Sequence, residues 1–241
     1  MNPCAGHRCD TCATCRGGTC CGRARSNRTP RPRSVNDAIA IAVTEVEVPA
    51  RLITFFLSDI EASTAIWDRE PEAMARALER HDRTFEELIE AHGGVHVRPR
   101  GEGDSRFAVF VEALDAVTAG LEIQRAFAVE DWPTRRPLMV RIGIHTGEAH
   151  ARDGDYYGPA VNRCARVRSL ARGGQILLSE ATTSLVCGVL PAGATIRDLG
   201  RHQLRGLLQP ERVSRVLHPD LVAGLPPLVA VGVSADQCQT R

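Results

Sequence analysis

The sequence predicts an α+β sandwich of ferredoxin-like order (strand, helix, hairpin, helix, strand) with extra strands at its C-terminal end. Three observations lead there. The apolar run Leu52-Ile53-Thr54-Phe55-Phe56-Leu57 reads as a strand that stops at Ser58-Asp59. Ala73, Ala77, Leu78, Phe85, Leu88 and Ile89 then recur at helical spacing from an early Pro71 until Gly93-Gly94. Two short β segments, Val95 to Arg98 and Arg106 to Phe110, flank the Gly-rich acidic turn Gly101-Glu102-Gly103-Asp104.

The remaining elements follow in order. A short helix around Ser63 to Trp67 succeeds the first strand, and a longer one covers about Leu114 to Phe127. Met139 to His145 reads as a strand, and Pro159 opens a helix that runs to about Leu170. Gly173-Gly174 leads into a strand over Gln175 to Leu178. The domain is expected over 49–217, with a Cys- and Arg-rich disordered arm and linker at 1–48 and an unstructured tail at 218–241.

Composition narrows the function classes. The 241 residues carry a formal net charge of +1, so no global field draws nucleic acid or an anionic membrane, and an anionic substrate must be met by a local site. All 30 basic residues are arginine. No apolar run approaches the roughly 20 residues a membrane span needs, and the N-terminus lacks the apolar stretch of a signal peptide, so a cytoplasmic protein is expected. Six of nine cysteines crowd the first 21 residues. The Cys9-x2-Cys12-x2-Cys15 spacing is compatible with zinc or an iron–sulfur cluster, yet no later His or Cys group completes such a site.

Asp59 at a strand end and Asp104 at a hairpin tip belong to neighbouring strands in this topology. Two hard carboxylates are what Mg²⁺ or Mn²⁺ requires, and a pair of such ions can clamp the attacking and leaving oxygens of a phosphoryl transfer. Taken singly, Asp59 fits a helix cap and Asp104 an ordinary turn residue.

Four separated motifs in order resemble the class III adenylate and guanylate cyclase catalytic domain, in its actinobacterial cytosolic form, from about Arg51 to Leu217. They are Phe56-Leu57-Ser58-Asp59-Ile60-Glu61-Ala62-Ser63-Thr64; Gly103-Asp104; Arg141-Ile142-Gly143-Ile144-His145-Thr146-Gly147; and Asp155-Tyr156-Tyr157-Gly158 with Asn162-Arg163-Cys164-Ala165-Arg166. The resemblance implies that ATP is cyclised to 3′,5′-cyclic AMP with two Mg²⁺ or Mn²⁺ ions per site, in a homodimer whose active sites are shared between chains. By position it makes Asp59 and Asp104 the metal aspartates, with the Ile60 carbonyl as a further ligand. It makes Asn162 and Arg166 the ribose-orienting and transition-state residues, four apart on one helix face. Asp155 falls where the adenine amino group is read.

Departures from the family pattern are informative. Arg100 stands at the position of the purine-selecting lysine, and Arg205 at that of the lysine holding the terminal phosphates; both keep the charge but replace a point donor with a fork. Ala62 replaces a glycine in the loop Ala62-Ser63-Thr64, whose backbone N–H groups are expected to face the triphosphate; a positive φ there would strain Ala. These departures keep open an alternative, a degenerate cyclase-homology domain that binds nucleotide or dimerises within a regulator. A diguanylate cyclase is disfavoured, since the hairpin lacks Gly-Gly-(Asp/Glu)-Glu-Phe.

Overall fold

The computed structural model describes residues 51–97, 103–152 and 155–221. The arm at 1–48, most of the expected tail, the Cys cluster and Arg100 lie outside the described residues.

Phe55 and Phe56 show how the layers arise. Adjacent residues of a strand point to opposite faces, and here both rings are fully buried, so β1 (Arg51–Ile60) must be covered on both sides. On one face Phe56 meets Phe85 and Phe110 at ring-centroid distances of 6.3 and 6.1 Å. That layer is supplied by α2 (Pro71–Ala91) and α3 (Ala113–Val129). On the other face Phe55 packs edge-on against Tyr156 and tilted against Phe107, beneath α4 (Pro159–Leu170). Burying aromatic rings of this size stabilises by about 1.5–3 kcal/mol each.

The sheet runs in the order β2 (Val95–Val97), β3 (Arg106–Phe110), β1, β4 (Val140–Arg152), β6 (Ile176–Ser179), β8 (Glu211–Leu217), β7 (Thr195–His202). The expected hairpin is β2 and β3. The central partner of β1 is β4, and β5 (Asp155–Tyr157) folds back on its far end. β6 runs parallel to β4; the other pairings are antiparallel. The extra C-terminal strands are β7 and β8. A short α1 (Ser63–Arg69) follows β1, and α5 (Glu180–Val186) follows β6, its N-terminus capped by the Ser179 hydroxyl and by Glu211. Leu221, just past β8, is buried against the α2–α3 layer. None of the described helices is long and apolar enough to cross a membrane.

Two features lock the sheet to its helices. A Cβ on Gly143 would lie 2.5 Å from the Arg168 backbone nitrogen, so α4 sits on β4 at a distance that admits no side chain there. Buried hydroxyls form a chain from Thr54 to Thr146 (2.9 Å), Thr182 (3.2 Å) and Ser179 (3.2 Å), ending at His145 Nδ1 (2.8 Å). Each member satisfies its neighbour, which is what polar groups out of water require.

Candidate active site

The end of β1 carries the site. Asp59 pairs across the ladder with Arg141, the second residue of β4, and Glu61 N–H donates to Met139 O at 2.8 Å where the strands part. The Arg141 fork grips Asp59 with Nε to Oδ1 at 2.7 Å and Nη2 to Oδ2 at 2.6 Å. This bidentate, charge-assisted geometry is the strongest kind of side-chain hydrogen bonding. The Asp59 bond, helped by the fields of Asp59, Glu61 and Asp104, holds the Arg141 guanidinium above its ordinary range despite partial burial. Arg141 thus holds Asp59 directly, while Asp104 contributes to it only a weaker field.

Asp104 is half-buried in the turn before β3. Arg106 ties that turn down: its Nη1 donates to Gly103 O (3.2 Å) and Ser105 O (3.1 Å), while Nη2 pairs with Asp82 of α2. A second arginine joins the two aspartate segments. Arg168 Nη1 donates to Ser58 O at 3.2 Å and to Ser105 Oγ at 2.9 Å, and Ser105 Oγ donates to Ser58 O at 3.0 Å. Arg168 Nε lies 3.7 Å from Asp59 Oδ2.

Ala62 has φ 58° and ψ 29°, the one positive-φ residue other than glycine among the described residues. The left-handed turn swings the chain from β1 into α1, whose first backbone bonds run from Ala65 and Ile66 N–H to Ala62 O. Ser63 and Thr64 precede those donors at the helix start. Beside this loop a recess of about 350 Å³ is lined by Glu61, Arg141, Ser169, Arg172 and His202 among others. A larger cavity of about 660 Å³ lies between the Glu61–Ala62 turn, α1 and the Thr134–Met139 segment.

Asn162 and Arg166 lie exposed along α4, and neither side chain makes a hydrogen bond or ion pair with Asp59 or Asp104. Within one chain α4 touches the aspartate cluster through Arg168 instead. Asp155 opens β5 half-buried, its carboxylate accepting the Tyr156 N–H at 2.7 Å. Arg205 is exposed in the turn between β7 and β8. The chain thus brings Asp59, Ile60, Ala62, Ser63, Thr64 and Asp104 to one region and leaves Asn162, Arg166 and Arg205 at the surface.

Arg141 enters the sequence reading only as the first residue of a motif, with no role assigned, and Arg168 and Ser105 do not enter it. The register that sets Arg141 against Asp59 is not written in either strand alone. Arg168 sits two residues, roughly 200° of helix, beyond Arg166, and so on the opposite, sheet-facing side.

The carboxylates suit a hard divalent cation. Among the described residues no three His, Cys, Asp or Glu side chains are clustered as a cage. Mg²⁺ is usually held by one or two carboxylates with a substrate's phosphates completing its shell. The Arg141 guanidinium already supplies positive charge at this spot.

Known proteins resemble this chain in sequence and in fold. The model of the adenylate and guanylate cyclase catalytic domain matches residues 46–216. An uncharacterised protein of Mycobacterium tuberculosis is 48% identical over 180 residues, which cover 75% of this chain and 61% of that protein. The chain thus spans under two-thirds of that relative's length. The adenylate cyclase of Schizosaccharomyces pombe is 30% identical over 230 residues, covering 77% of this chain and 14% of that enzyme. Among solved structures, the adenylyl cyclase CyaB from P. aeruginosa superposes with a TM-score of 0.64 at 26% identity, over 73% of this chain and 100% of that one.

Proposed function

The chain belongs to the adenylate and guanylate cyclase catalytic domain family, and from that premise we propose that it converts ATP to 3′,5′-cyclic AMP and pyrophosphate in a site built by two copies. The observation that carries the reading is the tie that Arg168 and Ser105 make between the Asp59 and Asp104 segments, while Asn162 and Arg166 are exposed with no side-chain partner among the described residues. Half of a phosphoryl-transfer site is gathered in one chain, and the other half is presented outward to a second chain.

Two Mg²⁺ or Mn²⁺ ions on Asp59, Asp104 and the Ile60 carbonyl would acidify the ribose 3′-OH and neutralise phosphate charge. The chain's own residues do the rest. Asn162 of one subunit orients the ribose, and Arg166 meets the charge that builds on the α-phosphate. The 3′-oxygen forms its bond to the α-phosphorus as the α–β bridging bond breaks; pyrophosphate leaves and the 3′-OH proton passes to solvent. Backbone N–H groups of Ala62, Ser63 and Thr64 face the terminal phosphates, with Arg141 beside them and Arg205 reaching from the partner. Arg100 and Asp155 read the purine, and Asp155 as an acceptor favours the adenine amino group. ATP and free Mg²⁺ make the cytoplasm the compartment for this chemistry.

A second reading, a nucleotide-binding or dimerising module without turnover, is favoured by the left-handed backbone that Ala62 is made to adopt. One assay separates the two: purified protein with ATP or GTP and Mn²⁺, products resolved by chromatography. Cyclic AMP in excess of cyclic GMP supports the adenylate cyclase. Cyclic GMP in excess overturns the choice of purine, and no cyclic product with either substrate overturns the enzyme.

A further inference from the structure

We propose that Arg168 is a positioning residue that sets the spacing of the two metal aspartates and thereby the site's discrimination between Mg²⁺ and Mn²⁺. The inference deepens the cyclase reading and rests on it.

The two aspartates come from segments that are separate in sequence, the end of β1 and the turn before β3. Their neighbours are tied together by one compact unit. Arg168 Nη1 donates both to the carbonyl of Ser58, one residue before Asp59, and to the hydroxyl of Ser105, one residue after Asp104. The Ser105 hydroxyl closes the triangle by donating to the same Ser58 carbonyl. A shift of either segment would break at least two of these three bonds, so the spacing of Asp59 and Asp104 is referred to one guanidinium nitrogen.

The guanidinium is itself anchored. Arg168's backbone nitrogen and Cα would lie 2.5 and 2.6 Å from a Cβ on Gly143, so its origin is pressed against β4 and its reach to Ser58 and Ser105 is determined. Its side chain is 15% exposed. Arg168 Nε is buried with no hydrogen-bond partner, 3.7 Å from Asp59 Oδ2. Leaving such a donor without a hydrogen bond is costly, so the placement is not what packing alone would select. It sets a permanent charge beside the oxygen that Arg141 also holds.

Mg²⁺ demands near-ideal octahedral geometry at short distances, whereas the larger Mn²⁺ tolerates a looser shell. A clamp on carboxylate spacing therefore matters more for Mg²⁺. The test uses Ser105→Ala, which opens the triangle without changing charge, and Arg168→Lys, which keeps the charge but on a shorter side chain that does not reach the position of Nη1. Rates with ATP are measured under Mg²⁺ and under Mn²⁺, and binding of Mn²⁺ alone to nucleotide-free protein is followed by electron paramagnetic resonance. Each variant is expected to lose about tenfold or more of its Mg²⁺-supported kcat and under about threefold of its Mn²⁺-supported kcat, with little change in KM for ATP. The dissociation constant for Mn²⁺ should rise several-fold in Ser105→Ala, with thermal unfolding near the parental midpoint. A Ser105→Ala protein with the parental Mg²⁺ to Mn²⁺ rate ratio and parental Mn²⁺ affinity overturns the inference. If the parent forms no cyclic nucleotide with either metal, the cyclase reading fails and the Mn²⁺ affinity alone decides the positioning role.

Discussion

Arg141 stands directly across the β1–β4 ladder from Asp59 and holds both of its carboxylate oxygens. The pair is mostly out of water, with side chains 29% and 11% exposed, so breaking it from one side leaves a poorly solvated charge. Asp59→Asn should cost about 1–3 kcal/mol in urea unfolding at neutral pH. Asp104→Ala, at a half-buried turn, should cost under about 1 kcal/mol. Both should lower cyclic nucleotide formation by at least about a hundredfold. Near-parental activity in either variant removes that aspartate from the metal assignment.

Ala62 gives a prediction of opposite sign. A left-handed conformation costs an L-residue roughly 1–2 kcal/mol that glycine does not pay. Ala62→Gly is therefore expected to raise stability by about 1 kcal/mol, and to leave turnover equal or higher because the loop holds its shape without strain. A lower thermal midpoint in Ala62→Gly would contradict the backbone geometry on which this rests.

His145 predicts the acid limb of stability. Burial, aided by the charge of Arg163, depresses its pKa to about 4 from an ordinary 6.5. Above 6.5 the ring is neutral in both states and contributes no slope. As pH falls from 6.5 to 4 the unfolded chain takes up a proton that the folded chain refuses, so stability drops by about 1.4 kcal/mol per unit. Below about 4 the folded chain is protonated too and this contribution levels off. Buried His81 is shifted in the same direction and steepens the limb. Unfolding free energies at pH 7.5, 5.5 and 4.5 should show this fall, and His145→Asn should flatten it; an unchanged slope in that variant would assign the acid limb to other groups.

The shared site is checked by complementation. Asp59→Ala and Arg166→Ala chains should each be inactive alone. After subunit exchange, a heterodimer has one doubly damaged site and one intact site, so mixing should restore up to roughly half of the parental activity per heterodimer. Mixed chains that exchange and stay inactive, or a fully active monomer, would contradict the model.

Elements built from apolar periodicity were legible in the sequence. Pro159 to Leu170 is helical as expected, and the strand, helix, hairpin order stands. What escaped was polar. β1 continues through Ser58 and Asp59 to Ile60, and β4 continues from Thr146 to Ala149, because ladder bonds to partners far along the chain hold them extended; the local pairing with β5 then carries β4 on to Arg152. α5 has only seven residues, and its second cap comes from Glu211, 31 positions from Glu180, so no local signal announces it. At the site, the expectation rests on Asp59 and Asp104 because a motif carries each. The roles of Arg141 and Arg168 were not legible, because a fork on a carboxylate and a tie between two loops exist only once registers and helix faces are set.

Gly143 links these observations to motion. With α4 seated on β4 too closely for a side chain, the helix bearing Asn162 and Arg166 cannot slide over the strand bearing Arg141 without a collision of backbones. The two act as meshed teeth of one gear. A displacement that reaches Asn162 and Arg166 must therefore carry α4 and β4 together as one block, Arg141 included.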